Sequence, residues 1–324
     1  MAENFVLAAD LGGTNLRTAV VSDKGSILYQ REISTPRSAQ ASDLVSVIAD
    51  EARSCIASTG SAPSAFCLAA AALVDSTGQH VLSSPNLPQL NGALLAAEIS
   101  KHLDITVLLE NDATAAAIGE HWLGASANAQ HSICVTLGTG VGGGLILNAE
   151  PFRGASGTAG EIGHICVEPD GVDCGCGSHG CLEQYSSATA IVRIARELSR
   201  NDAGSKLHSL SDFSSADVYE AGLKGDASAL ETFRQAGRYL GIALTDLINV
   251  LNPEIVVIGG GAAGAWDLFI KAVQNEIRLR AFKQPAAAAK IVRAQLGNNA
   301  GILGAAWVAH QTDRLNLHPV ESLS

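Results

Sequence analysis

Aromatic side chains are nearly missing from this chain: seven Phe, four Tyr and three Trp, 4% of 324 residues. A core made without them must come from Ala, Val, Ile and Leu, and hydrophobic residues reach 47%. Charged residues are also few, at 16%, which excludes a disordered polyelectrolyte. Acids dominate that small set. The formal net charge is −11 and no Lys/Arg cluster occurs, so the basic face of a nucleic-acid binder is lacking. No run approaches the ~18 apolar residues of a membrane span. The opening "MAENFVLAAD" has no basic n-region and no long apolar stretch, so no signal peptide is expected. The expected setting is the cytoplasm, without nucleic acid or membrane as partner. A Walker A GxxxxGK[ST] is absent, and no G-x-G-x-x-G leads from a strand into a helix.

What is present reads as α/β. Strands are predicted at Val6–Ala9, Arg17–Val21 and Ile27–Ile33, with turns at Gly12-Gly13 and Asp23-Lys24-Gly25. "ASDLVSVIADEARSCIAS" has helical spacing, "SAFCLAAAALVD" reads as one buried strand, "LNGALLAAEISKHL" as a helix and "ITVLLEND" as a strand. The helix "ATAAAIGEHWLG" opens a second set, followed by the strand–turn–strand "HSICVTLGTGVGGGLILN". Helices are predicted over 187–200 and 215–251, the latter with Leu230, Phe233, Leu240, Leu244, Leu247 and Leu251 on one face. A buried strand lies in "NPEIVVIGGGAAG", an apolar helix in "AGILGAAWVAH", and a frayed tail is expected after Asp313. The length suits two domains: residues 1–112, completed by a C-terminal helix at 301–324, and residues 113–300, holding a segment at 161–183. "AADLGGTNLRTAVV" and "VTLGTGVGGGLIL" echo each other as strand, glycine-threonine turn, strand.

Those turns suit phosphate. After Asp10, the backbone N–H groups of Gly12, Gly13 and Thr14 can form an anion-binding nest, and Asp10 can hold the water shell of Mg²⁺. A plain hairpin is the alternative for this turn alone. Gly138, Thr139, Gly140, Gly142, Gly143 and Gly144 weigh against it, because so many glycines weaken an ordinary hairpin. A third cluster, Gly259-Gly260-Gly261, suggests an adenine pocket beside the other two.

"GEIGHICVEPDGVDCGCGSHGCLE" supplies His164, Cys174, Cys176 and Cys181, the Cys₃His set of a closed structural zinc site. His179 is a competing nitrogen ligand. The other cysteines, Cys55, Cys67, Cys134 and Cys166, sit among apolar neighbours and are expected to be buried thiols. Zinc would tie Glu161, the second nitrogen of His164 and Glu183 to one rigid point, a set suited to a polyhydroxyl ligand. "ENDATAAAIGE" places Asn111 and Asp112 where a strand meets a helix. A helix cap explains such residues. A general base explains them too, with Asp112 accepting a hydroxyl proton in phosphoryl transfer and Asn111 holding a neighbouring hydroxyl. Asn86, in the rigid "SPNLP", is a further candidate contact for such a polyhydroxyl ligand.

Taken together, "DLGGTNLR", "ENDATAAAIGE", "LGTGVGGG", "GEIGH" and "CGCGSHGCLE" resemble the ROK family (repressor, open reading frame, kinase), in order from about residue 5 to 310. The resemblance implies an actin-like ATPase (ribonuclease H-like) fold with two lobes around a nucleotide and sugar cleft. It implies ATP-dependent sugar phosphorylation with Asp112 as base. It implies sugar on Asn86, Asn111, Asp112, Glu161, His164 and Glu183, and zinc on His164 and the three cysteines. ATP would lie along Asp10, Gly12, Gly13, Thr14, Asn15, Gly138, Thr139, Gly140, Gly142, Gly260 and Gly261. "SPNLP" and "CLEQYSS" look most like bacterial glucokinases, so glucose phosphorylated at its 6-hydroxyl is the expected reaction. N-acetylmannosamine is the runner-up, since "DCGCGSHGC" also resembles kinases of that sugar. A homo-oligomer is expected. Some relatives are sugar-sensing repressors, but the nine residues before Asp10 are expected to leave no room for a helix-turn-helix. A chaperone-type or cytoskeletal ATPase is disfavoured by the zinc segment and the Asn111-Asp112 pair.

Overall fold

The computed structural model describes residues 4–36, 40–60 and 62–317. Two compact units exchange chain: Met1–Asn128, Gly144–Gly160 and Gln295–Ser324 form one, Ala129–Gly143 and Glu161–Ala294 the other. Among the described residues no helix is long and apolar enough to cross a membrane.

The first unit contains β1 (Phe5–Leu11), β2 (Asn15–Ser22), β3 (Ile27–Ser34), α1 (Ala41–Thr59), β4 (Ala65–Ala70), β5 (Leu73–Val74), β6 (Val81–Ser83), α2 (Leu95–Leu103), β7 (Thr106–Asn111) and α3 (Asp112–Leu123). Its main sheet has the order β3-β2-β1-β4-β7. β1 pairs antiparallel with β2, and β4 lies parallel to both β1 and β7. β4 is buried along its whole length, as a parallel strand covered on both faces must be. β3 alternates half-buried and exposed residues, as an edge strand does. On β1, Leu7, Ala9 and Leu11 pack with Leu44, Ile48, Leu95 and Ile99 on one side. Val6 and Ala8 face Ala115, Ile118, Ile302 and Ala306 on the other. The period of two thus sends alternate side chains to two helical layers.

The C-terminal helix, Ala300–Leu317, belongs to this unit and packs on α3. The approach is close because Gly119 faces the Ala300 carbonyl and Gly304 the Ala115 carbonyl; a side chain at either would drive into backbone. Glu120, 0% exposed, secures the entry to that helix. It accepts hydrogen bonds from the N–H groups of Ala125 (2.7 Å), Gln295 (2.9 Å) and Leu296 (2.8 Å). The tail was expected after Asp313, but the helix runs on to Leu317; residues 318–324 lie outside the described residues.

The remaining strands are β8 (His131–Leu137), β9 (Val141–Leu147), β10 (Glu150–Pro151), β11 (Ile255–Gly259) and β12 (Lys290–Arg293). Their order is β10-β9-β8-β11-β12, with β8, β11 and β12 parallel. Two strands joined by a Gly/Thr turn and followed by parallel crossover strands thus occur twice in the chain. The second unit's helices are α4 (Glu183–Ser186), α5 (Ala188–Ser199), α6 (Ser215–Leu223), α7 (Ala227–Leu251), α8 (Trp266–Arg280) and α9 (Lys283–Ala288).

Three sequence expectations need correction. The helix over 215–251 is two helices, because Gly225 (φ +83°) turns the chain and Asp226 caps α7 through the Ala229 N–H at 3.0 Å. Leu230 is 40% exposed; the buried face instead carries Phe233, Gly237, Leu240, Gly241, Leu244 and Ile248. Gly237 and Gly241 let α7 meet the α8 backbone at Phe269 and Val273. "SAFCLAAAALVD" is also interrupted: β4 ends at Ala70, whose carbonyl turns to accept from the Ala72 N–H at 2.7 Å. Finally, Cys166 is exposed, while Cys55, Cys67 and Cys134 are buried. Its position opposite Cys181 in an isolated bridge of the cysteine-rich loop, outside the regular sheets, explains the difference.

Candidate active site

One row of residues crosses the first unit's sheet near the carboxyl ends of its parallel strands. Glu32 pairs with Arg17, Arg17 with Asp10, Asp10 with Ala69, and Ala69 with Glu110. Ligands of open α/β sheets gather at such strand ends. Arg17 donates to Glu32 at 3.0 Å and lies 3.7 Å from Asp10. Burial pushes the Asp10 carboxyl up; Arg17 opposes that shift and Glu32 adds to it. Asn15 donates to Glu32 at 2.8 Å.

Beyond Asp10 the Gly12-Gly13-Thr14 turn is closed by the Gly12 N–H donating to Asn15 O at 2.9 Å. Thr35 braces it from behind: its hydroxyl donates to Gly12 O and its N–H to Thr14 O, both at 2.7 Å. Gly13 and Thr14 remain exposed. Asn86 stands beside them, since a Cβ built on Gly13 would meet its Cβ at 3.4 Å. The "SPNLP" loop is held by Ser84, whose N–H donates to Asn91 Oδ1 at 2.7 Å and whose hydroxyl donates to Ala71 O at 2.9 Å.

Asn111 fulfils the cap reading: its Oδ1 accepts from the Thr114 N–H at 2.9 Å, while Nδ2 donates to Ala72 O at 3.1 Å. One Nδ2 hydrogen remains beyond those two bonds. Asp112 is the first residue of α3, half-buried, and its Oδ1 accepts from the Ala113 N–H at 2.8 Å. The cap thus holds the helix start on which Asp112 sits, so both sequence readings of this pair are compatible.

In the second unit the Gly138-Thr139-Gly140 turn has the same kind of support. The Gly138 N–H donates to Gly140 O at 2.9 Å. From the start of α5, the Ala188 N–H donates to Gly138 O and the Thr189 hydroxyl to Thr139 O, both at 2.8 Å. At the end of β11, Gly260 (φ +85°) lies against the backbone of Leu137, where any side chain would collide. The Gly260-Gly261 step is thereby held next to the strand that leads into the Gly138 turn. Gly142 is half-buried at the start of β9.

The ligand atoms of His164, Cys174, Cys176 and Cys181 all lie within 4.8 Å of one another. Cys176 and Cys181 Sγ are 3.7 Å apart, as are Cys174 Sγ and His164 Nδ1. Tetrahedral zinc with Zn–S bonds of ~2.3 Å sets sulfurs about 3.8 Å apart, so this set fits the ion. His179 is exposed, sits opposite Asp173 in an isolated bridge and is outside this cluster. With Nδ1 turned to the sulfurs, His164 Nε2 points out, 3.8 Å from Glu161 Oε2. Burial pushes the Glu161 carboxyl up, with His164 opposing and Glu183 reinforcing the shift. Glu183 is also fixed to the glycine turn: Oε2 accepts from the Val141 N–H at 3.0 Å and occupies the space a side chain on Gly140 would need.

The first unit therefore gathers Asp10, the Gly12–Thr14 turn and Asn86, and separately the Asn111-Asp112 corner. The second gathers the cluster of His164, Cys174, Cys176 and Cys181, together with Glu161, Glu183 and the Gly138–Gly140 turn. Sequence reasoning missed Thr35, Ser84, Thr189 and Arg153. Thr35 and Thr189 are ordinary polar residues far in sequence from the turns they brace, and Ser84 is an ordinary serine at the head of the loop it holds. Arg153 pairs with Glu110 at 2.8 Å, and no local spacing announces that contact.

The ROK family model matches residues 6–312. A glucokinase of Halalkalibacterium halodurans is 34% identical over 97% of this chain and 97% of its own. A crystal structure of a ROK family glucokinase from Streptomyces griseus, in complex with glucose and AMPPNP, has a TM-score of 0.83 at 34% identity, covering 95% of this chain and all of that one (100%). A ROK hexokinase from Thermus thermophilus has a TM-score of 0.82 at 30% identity, covering 96% of this chain and 99% of that one.

Proposed function

Because this chain belongs to the ROK family, with its actin-like ATPase fold, we propose that it is an ATP-dependent glucokinase. It transfers the γ-phosphoryl group of ATP to the 6-hydroxyl of glucose. The observation that carries the reading is the Asn111-Asp112 corner, a carboxylate on a capped helix start at the end of a parallel strand.

In this reading Asp112 accepts the proton of the 6-hydroxyl. The freed oxygen bonds to the γ-phosphorus, the bond from that phosphorus to the bridging oxygen breaks, and ADP leaves with the electron pair. The transition state is loose, so positioning and charge stabilisation supply most of the rate. Asn86, Asn111, Glu161, His164 and Glu183 hold the ring hydroxyls. The braced turns at Gly12–Asn15 and Gly138–Gly142, with Gly260-Gly261, take the nucleotide through backbone N–H groups. Mg²⁺ held near Asp10 would supply charge neutralisation on the phosphates. Zinc on His164 and the three cysteines would be structural, orienting His164 and the chain around Glu161 and Glu183. Seven cysteines without a disulfide, three of them read as zinc ligands, support a reducing, cytoplasmic setting. A homo-oligomer is supported by the exposed Val250 and Leu279, near the ends of α7 and α8, and Phe282, at the start of α9.

A coupled ADP-release assay with glucose, mannose, fructose, N-acetylglucosamine and N-acetylmannosamine tests the reading. Glucose should give the highest kcat/KM. A hundredfold preference for N-acetylmannosamine would replace the sugar and keep the kinase; ADP release indifferent to every sugar would remove the kinase.

A further inference from the structure

Glu110 is the last residue of β7 before the Asn111-Asp112 corner and is 4% exposed. A carboxylate buried to that degree is costly to keep ionised without a partner. Its two oxygens have different tasks. Oε1 accepts from the backbone N–H of Asn111 at 3.1 Å. Oε2 meets Arg153, from Nε at 2.8 Å and from Nη2 at 2.6 Å. Arg153 comes from the 144–160 segment that returns to this unit. The loop is fixed there: the Ala159 N–H donates to Arg153 O at 3.0 Å. Gly157 (φ +90°) lies against the backbone of Val74, Asp75 and Ser76, where a side chain would not fit.

We propose that Arg153 is a positioning residue for phosphoryl transfer. It neutralises Glu110 so that this buried carboxylate can pin the Asn111 N–H and hold the Asn111-Asp112 corner in its working direction. The inference rests on the reading of Asp112 as the base. Without the guanidinium the buried Glu110 carboxylate is left uncompensated and must swing towards water, which draws Oε1 away from the Asn111 N–H and loosens the helix start that Asn111 caps. Removing the carboxylate's charge instead should be mild. A glutamine oxygen still accepts from Asn111 N–H, and Arg153, whose side chain is 33% exposed, can turn to solvent.

This asymmetry separates neutralisation from a simple tether. Loss of a tether harms equally from either end and is not repaired by losing the other partner. Loss of neutralisation is harmful only from the arginine side and is repaired by removing the acid. Arg153→Met should lower kcat at least tenfold, with KM for ATP within threefold of the parent. Glu110→Gln should lower kcat by about threefold at most. The double variant should return to the level of Glu110→Gln. Arg153→Lys, which keeps the charge, should stay within about fivefold of the parent, and it serves as the test if Arg153→Met fails to fold. Arg153→Met retaining more than half of kcat, a double variant no better than Arg153→Met, or Arg153→Lys losing as much as Arg153→Met would each overturn the proposal. Melting temperatures of the same proteins follow the charge balance without reference to catalysis; recovery of melting without recovery of kcat also overturns it. Parental turnover in Asp112→Asn would instead remove the base assignment and leave the melting cycle standing.

Discussion

Gly140→Ala isolates the contact between the glycine turn and Glu183. Gly140 does not have a left-handed backbone, so alanine can adopt its conformation. The obstacle is steric. The new methyl would overlap Glu183 Oε2 and lie 3.2 Å from its carboxyl carbon. If Glu183 moves away, it gives up its 3.0 Å bond from the Val141 N–H. A hydrogen bond to a charged group contributes about 1.5–3 kcal/mol. If the turn moves instead, overpacking costs about 1–3 kcal/mol. Both routes give the same order of penalty, which as binding free energy is roughly 10–150-fold. Because Glu183 is read as a sugar contact, KM for glucose should rise by that factor. The coupled ADP-release assay measures it. Gly264→Ala, where a side chain meets nothing within 4 Å, is the control and should keep the parental KM. Gly140→Ala with parental KM for glucose and ATP would refute the argument. Gly140→Ala/Glu183→Asp adds a check: a side chain shorter by one methylene should recover part of the Val141 bond.

Asp112→Asn should lower kcat by about 10²–10⁴-fold while glucose still binds in calorimetry; retention of a tenth of kcat would rule Asp112 out as base. Cys176→Ser should lose zinc in metal analysis of the purified protein, melt lower and bind glucose more weakly, because a structural metal site is part of the fold; full activity without zinc would make the cluster incidental. Asp226 has a carboxyl held below the ordinary carboxylate value: burial pushes it up, but hydrogen bonds from the N–H groups of Ala229 and Lys206 and from the Ser205 hydroxyl outweigh that push. Its stabilisation is therefore complete above the unfolded value of ~3.9 and is lost as pH falls through the lower folded value. In denaturant melts Asp226→Asn should be destabilised by about 1–3 kcal/mol at neutral pH, because the oxygen that accepts from the Lys206 N–H and the Ser205 hydroxyl becomes an amide donor, with the gap closing only below about pH 4; a gap unchanged at pH 3 would contradict the linkage.

Local features were the legible ones. β1 to β3 and α1 follow from alternation and helical spacing, and Asn111-Asp112 was recognisable as a cap because capping is decided within four residues. The clustering of His164, Cys174, Cys176 and Cys181 was legible for a related reason: cysteines have few other uses at such spacing. What could not be read depends on contacts distant in sequence. Arg153 meets Glu110 across 43 positions, and Glu120 meets Gln295 across 175. The α6–α7 break was written in the sequence as Gly225-Asp226 but was overridden by the helical spacing on either side. Cys166 looked apolar from its neighbours, yet it lies in a loop ordered by cysteine contacts, where alternation says nothing about exposure.

The seal made by Glu120 has a consequence for how the protein is made. Val6, Ala8 and Ala69 emerge from the ribosome roughly 230–300 residues before Ile302, Ala305, Ala306 and Ala309, which cover that side of the sheet. Until Gln295 and Leu296 reach the Glu120 carboxylate, the growing chain carries an apolar sheet face that α3 and Ile146 cover only in part. The middle of the chain can fold during this interval, since Glu161–Ala294 belongs to the other unit. Translation thus fixes an order in which the unit begun first is finished last. Chains interrupted before residue 295 keep that face open, a surface for chaperones and proteases to recognise.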